Sequence, residues 1–164
     1  MPCLRRILAV LMLIFLLGPA IPYHVAHAEM ADSAISISVL GQCGGGAESL
    51  ALRDNVLYAG IGPRLVIYDV TDTSAPQELG KSEVLPGLVN SVDLSGSYAF
   101  LAIHRVGLRI LDISDPTLPV LVGAYDSLGD ASAVAVSGSR AFLADGSAGL
   151  VLLDVSTPAT PQLL

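Results

Sequence analysis

The sequence predicts an all-β fold: an incomplete β-propeller of about three four-stranded antiparallel blades after an N-terminal signal helix. Three observations predict it. The chain repeats itself with a period of 42 to 43 residues. Each repeat divides into four short apolar runs, and those runs are too continuously apolar for a sheet with one wet face.

The period is carried by independent positions. Asp69, Asp112 and Asp154 recur at spacings of 43 and 42, as do Pro76, Pro119 and Pro161. Tyr58, Phe100 and Phe142 recur at 42 and 42, so the one-residue difference falls in the loop before Leu65.

The elements follow in order. Residues 1–28 read as a signal peptide: Arg5 and Arg6, an apolar run of 11 from Ile7 to Leu17, then Ala26 and Ala28 placed for cleavage before Glu29. Gly18, Pro19 and Pro22 interrupt the run well short of the roughly 20 residues that a membrane span requires. Residues 29–36 are a short linker. "ISISVLGQC" follows the fourth-strand pattern, making residues 37–42 an outer strand of a closing blade. The blades then occupy about 43–86, 87–128 and 129–164.

Within each blade the first run is "ESLAL", "NSVDL" or "SAVAV", and its small residues suit a crowded axis. The second is "VLYAG", "YAFLAI" or "RAFLAD", whose aromatic fills the wider layer between blades. A tight turn, "RDN" or "SGS", joins the two and places Asn, Gly and Ser where a hairpin requires positive φ. The third run is "RLVIYDV", "GLRILDI" or "GLVLLDV". The fourth is "PQELGKS", "PVLVGAY" or the shorter "PQLL", and the proline before it separates the two strands, since it cannot donate to a ladder. Near-continuous apolarity in the middle runs means that both sheet faces are covered, as stacking blade on blade achieves.

These motifs resemble those of the LVIVD-repeat proteins, predicted β-propellers of exported prokaryotic proteins. The motif stands here as "LVIYDV", "LRILDI" and "LVLLDV", and the flanking text as "AVSGSRAFLADGSAGL" and "DISDPTLPVLVGAY". The resemblance runs from Ile37 to Leu164 and implies an architecture, not an activity. The first repeat departs most, with "GIGPRL" in place of "ADGSAGL" and Thr73-Ser74 in place of the turn proline.

Three blades fall below the about 4–8 that close a propeller. The expectation is therefore either a truncated reading frame, which the half-length last run favours, or several chains assembling one ring as a homo-oligomer, for example two giving six blades.

Charge and composition exclude several classes. Removing the signal takes two of eight basic residues and none of fifteen acids, moving the net charge from −7 to −9. Such a chain has no counterion-release drive towards nucleic acid, and anionic lipid repels it, so no membrane contact is expected after signal cleavage. Cys43 is the one thiol left after Cys3 is lost, and reads as a partly buried side chain of a strand or turn. His104 is the one histidine left, which argues against a His-rich metal site. No GxSxG elbow is present, and "GQCGGGAE" lacks the lysine of a phosphate loop.

Asp69, Asp112 and Asp154 precede Ser, Thr and Pro at strand ends, where a carboxylate accepts turn N–H bonds, so they read as blade-building residues. Alternating strand direction sends the loops between strands two and three, and those between blades, to one side. That side collects His104, Arg105, Asp126, Asp130 and Asp145, together with Glu83, and is the candidate binding face. The expected function is an exported, non-enzymatic scaffold that binds a protein or small ligand without a cofactor. The competing expectations are an enzyme whose site needs further blades, and a degenerate gene fragment.

Overall fold

The computed structural model describes residues 46–164. The expected signal segment, linker and outer strand (1–42), and Cys43, lie outside the described residues. Twelve strands form three separate four-stranded antiparallel sheets, each a simple meander. The first blade holds β1 (Ala47–Arg53), β2 (Val56–Ile61), β3 (Arg64–Asp69) and β4 (Gln77–Lys81). The second holds β5 (Val89–Ser95), β6 (Tyr98–Ile103), β7 (Gly107–Asp112) and β8 (Val120–Asp126). The third holds β9 (Ala133–Ser137), β10 (Arg140–Ala144), β11 (Leu150–Asp154) and β12 (Gln162–Leu163). A single turn of 3-10 helix, Gly146–Ala148, interrupts the otherwise all-β description; the sequence marks it only as a turn.

The first hairpin of each blade is a two-residue turn with positive φ at its first central residue: Asp54 (54°), Gly96 (54°) and Gly138 (59°). Positive φ at that position alone is the pattern of a type II′ turn, whose twist matches the strands it joins. In the first blade the strained position therefore falls on Asp54, not on the expected Asn55. Bulges recur in register as well. Glu48 in β1 and Asn90 in β5 are extra residues against the following strand, and Leu79 in β4 and Val122 in β8 are extra residues against the preceding one. Three of these bulges re-aim a side chain: Leu79 and Val122 turn into the core, and Asn90 donates from Nδ2 to Ala131 O at 2.8 Å in the next blade.

Strand alternation splits each blade into two apolar faces, and the blades bury them against one another. Tyr58, Leu65 and Ile67 of the first blade meet Ala99, Leu101, Ile103 and Leu111 of the second. Phe100, Leu108 and Ile110 of the second meet Ala141, Leu143 and Leu153 of the third. The aromatics Tyr58 and Phe100 sit in these layers, as their repeat predicts. A third cluster, Ala59, Val66 and Tyr68, lies on the other face of the first blade. Inner strands β1, β5 and β9 are neighbours, and side chains tie two of them: Val134 N donates to Ser91 Oγ (3.2 Å) and Val136 N to Asp93 Oδ2 (2.7 Å). Blades stack through side chains, so their packing depends on residue size.

Gly80 and Gly123 show that dependence. A Cβ on Gly80 would run into the backbone carbonyls of Pro116 and Thr117, and one on Gly123 into that of Pro158. The proline-bearing turn of each following blade rests on the glycine of the blade before. The repeated "LG" or "VG" of the fourth strand is thus a packing requirement.

Candidate functional site

The antiparallel meander sorts the loops onto two sides. On one lie the β1–β2 and β3–β4 type connections, which close on themselves. Asp69 accepts from Thr71 N at 2.7 Å, Asp112 from Ser114 N at 2.8 Å, and Asp154 from Ser156 N at 2.8 Å. A second ring of acceptors sits one turn further: Asp72 takes Ser74 N and Oγ, and Asp115 takes Thr117 N and Oγ1. These bonds stabilise the ionised carboxylates. The Thr71 hydroxyl and amide hold Asp69 below the ordinary carboxylate value, and the amides and hydroxyls of Ser114 and Ser156 do the same for Asp112 and Asp154. The three repeated aspartates are turn-builders.

The opposite side carries the residues expected on a binding face, five of them in three small groups and Glu83 apart. Arg105, at a positive φ of 58°, caps the β6–β7 turn and pairs with Asp130 in the connection between the second and third blades (3.4 Å). Both side chains are exposed. His104 beside it is half-buried, and its backbone N–H donates to Leu88 O at 2.9 Å, fastening the same turn to the preceding connection.

Asp126 forms the second group. It accepts from Arg109 Nη2 at 2.7 Å, and Arg109 Nη1 donates to Leu108 O at 2.8 Å. The pair is lopsided, since the Arg109 side chain is 10% accessible and that of Asp126 80%. Asp145 makes the third and is fully buried at 0%. Its carboxylate accepts from Ser127 Oγ (2.6 Å) and from Gly129 N (3.0 Å), so it clamps the inter-blade connection under the turn at Gly146–Ala148. Glu83 is exposed on the connection between the first and second blades. There Ser82 is buried, accepting from Leu65 N at 3.0 Å and donating to Glu83 O at 2.8 Å.

Arg109 and Ser127 were not among the expected site residues. Aligning the repeats exposes Arg109, because Val66 and Val151 hold its position in the other blades. Ser127 carries no such signal. Two apolar grooves also recur at the outer rim, one per blade junction. The first, of about 400 Å³, lies among Val84, Leu85, Leu118, Val120 and Leu121; its counterpart, of about 370 Å³, among Tyr125, Leu128, Val151 and Leu163. Among the described residues no three His, Cys, Asp or Glu side chains gather as a metal site, and no helix is long and apolar enough to cross a membrane.

Stacked four-stranded meanders with inner strands side by side define a propeller-like repeat protein. The chain belongs to the LVIVD repeat family, whose profile matches residues 44–83, 86–127 and 128–164. No curated protein matches the chain. Among solved structures it is similar to the computationally designed Ika4 protein, with a TM-score of 0.62, 13% identity, and coverage of 79% of this chain and 78% of that one. It is also similar to the computationally designed Ika8 protein, with a TM-score of 0.59, 14% identity and coverage of 72% of this chain. The match spans 35% of the Ika8 chain. At such identities the likeness is one of fold.

Proposed function

We propose that this chain is an exported, non-enzymatic interaction scaffold that presents the face of Arg105, Asp130, Asp126 and His104 to a protein or small ligand. The observation that carries this reading is the Arg105–Asp130 pair, which joins loops of neighbouring blades. It holds a cation and an anion in solvent, on a face where the connections differ from repeat to repeat. On the other side the carboxylates are committed to their own turns. Variable charged loops on a rigid repeat scaffold are where recognition is placed most economically. Export is supported by the basic start, the apolar run of 11 and the Ala26–Ala28 cleavage pattern.

Two measurements test the reading. Mass spectrometry of the exported chain is expected to find Glu29 at its N-terminus. A thermal-shift screen of peptides and small solutes is expected to find ligands that raise Tm, since binding only the folded state stabilises it. Those shifts should vanish in the Arg105→Ala/Asp130→Ala double variant and persist in Asp72→Ala on the opposite side. Ligands indifferent to the double variant would move the binding face elsewhere, and turnover of a bound ligand would replace the scaffold reading with an enzyme.

A further inference from the structure

We infer that the outer edge of β8 is a docking site for an extended peptide in which basic and apolar side chains alternate. The inference is independent of what the charged loops bind.

β8 is the outermost strand of the second blade, and among the described residues it pairs only with β7. Such an edge keeps backbone donors and acceptors available to a further strand. Charge commonly blunts an exposed edge, and β4, the counterpart in the first blade, carries Glu78 and Lys81 in a strand of five residues. β8 has seven residues and no charge before Asp126. Val120, Leu121 and Ala124 are exposed along it.

The register puts a different cavity on each side of this strand. Leu121 pairs with Leu111, which packs towards the first blade, and the two line the apolar groove of about 400 Å³ with Val84 and Leu85. Val120 pairs with Asp112 on the opposite face, where Val122 packs towards the third blade. A cleft of about 300 Å³ lies there, lined by Asp112, Ser114 and Asp115 together with Val120 and Val122. Leu118, 66% exposed, lines both cavities and marks the ridge between them. Successive side chains of a strand point to opposite faces, so a strand laid along β8 sends them alternately into the groove and the cleft.

Charge decides the occupant. Two carboxylates and no Lys or Arg line the cleft. Both turn bonds to Asp115 fall on Oδ1, which leaves Oδ2 for a ligand. The Ser114 amide and hydroxyl hold Asp112 below the ordinary carboxylate value, and the Thr117 hydroxyl and amide do so for Asp115, keeping both ionised at neutral pH. In the groove Lys81 and Glu83 offset each other, and the remaining lining apart from Ser82 is apolar. The chain's net charge of −7 disfavours a second copy and favours a basic partner. The site therefore fits a strand with Lys or Arg towards Asp112 and Asp115 and aliphatic side chains towards Leu111 and Leu121.

Fluorescence anisotropy of the full chain with a labelled short peptide of alternating valine and lysine tests this. The wild type should bind the peptide, and amide exchange over Val120–Asp126 should slow as the added strand covers the edge. Asp112→Asn/Asp115→Asn, which keeps the turn acceptors, should weaken binding about three- to tenfold at low salt. Leu121→Lys, a charge at the edge of the groove, should weaken it by about tenfold or more. Leu52→Lys, on exposed β1, should change nothing. If Leu121→Lys does not melt cooperatively, Val84→Lys on the exposed connection carries the same test. A wild type that ignores the peptide overturns the inference. So does equal affinity for a valine–glutamate peptide, or for a valine–lysine peptide whose alternate backbone amides are N-methylated. Binding indifferent to the β8 variants overturns it too, as does a wild-type dimer that Leu121→Lys dissociates, which would make a second copy the occupant of the edge.

Discussion

Arg109 is the side chain on which the repeat and its exceptions meet. Val66 and Val151 fill its place in the other blades, so the backbone there accepts an aliphatic residue. The guanidinium is nearly buried, and Asp126 holds it from the solvent side. Removing one partner of such a pair strands the other, whereas replacing the buried ion with a packed aliphatic group removes the desolvation cost. Asp126→Ala is therefore expected to destabilise the fold by about 1–3 kcal/mol, and Arg109→Val to be neutral or stabilising. Urea unfolding of both variants checks this, and a loss from Arg109→Val as large as that from Asp126→Ala would contradict it. The repeated aspartates give a pH prediction. Turn bonds lower the carboxyl of Asp112 from its ordinary 3.8, so the folded state favours the ionised form. That contribution is fully present above the unfolded value and is lost as pH falls through the folded one. Stability should decline below about pH 4, and Asp112→Asn, which keeps the acceptor without the charge, should flatten that decline in thermal melts. These aspartates were legible because their pattern is local: a strand-ending Asp before Ser or Thr. The Asp145 clamp was not, because Ser127 approaches it from 18 residues away.

At the scale of strands and turns the sequence was most informative, because each strand's length and apolar run state its burial directly. "YAFLAI" has no polar face, and β6 is accordingly covered on both sides, by the first blade at Leu101 and by the third at Phe100. The recurring bulges were invisible, since an extra residue against a neighbouring strand leaves no mark in composition. The repeated glycines of β4 and β8 lie between these cases. Their period was legible, and their reason was not until the next blade's turn was seen resting on them. Gly123→Ala drives a methyl into the Pro158 carbonyl, and backbone on both sides leaves little room to yield. The expected cost is about 1–3 kcal/mol, that of overpacking. A control isolates the cause: alanine at Gly46 meets nothing nearer than a Glu48 side-chain oxygen at 3.9 Å and should be silent. Equal losses from the two substitutions, measured by denaturant unfolding, would show that the glycines serve the strand rather than the junction.

For the whole molecule, stacking makes stability a matter of neighbours: in a repeat array each blade draws its stability from the ones it touches. The same residue type at the same place in the repeat should then have different worth by position in the stack. Ile110 in β7 is completely buried between the second and third blades, while Leu152, its counterpart in β11, lies on the half-open face of the third. A closed cylinder or an isolated sheet would give these two positions similar surroundings, and stacked blades do not. Ile110→Ala opens a cavity in a packed layer and is expected to cost about 2–5 kcal/mol. Leu152→Ala removes a group that keeps much of its contact with water and is expected to cost less than about 1 kcal/mol at concentrations where the chain is monomeric. Denaturant unfolding of the two variants reads both quantities, and equal costs would be incompatible with blades that bury Ile110 between them and leave Leu152 half in water.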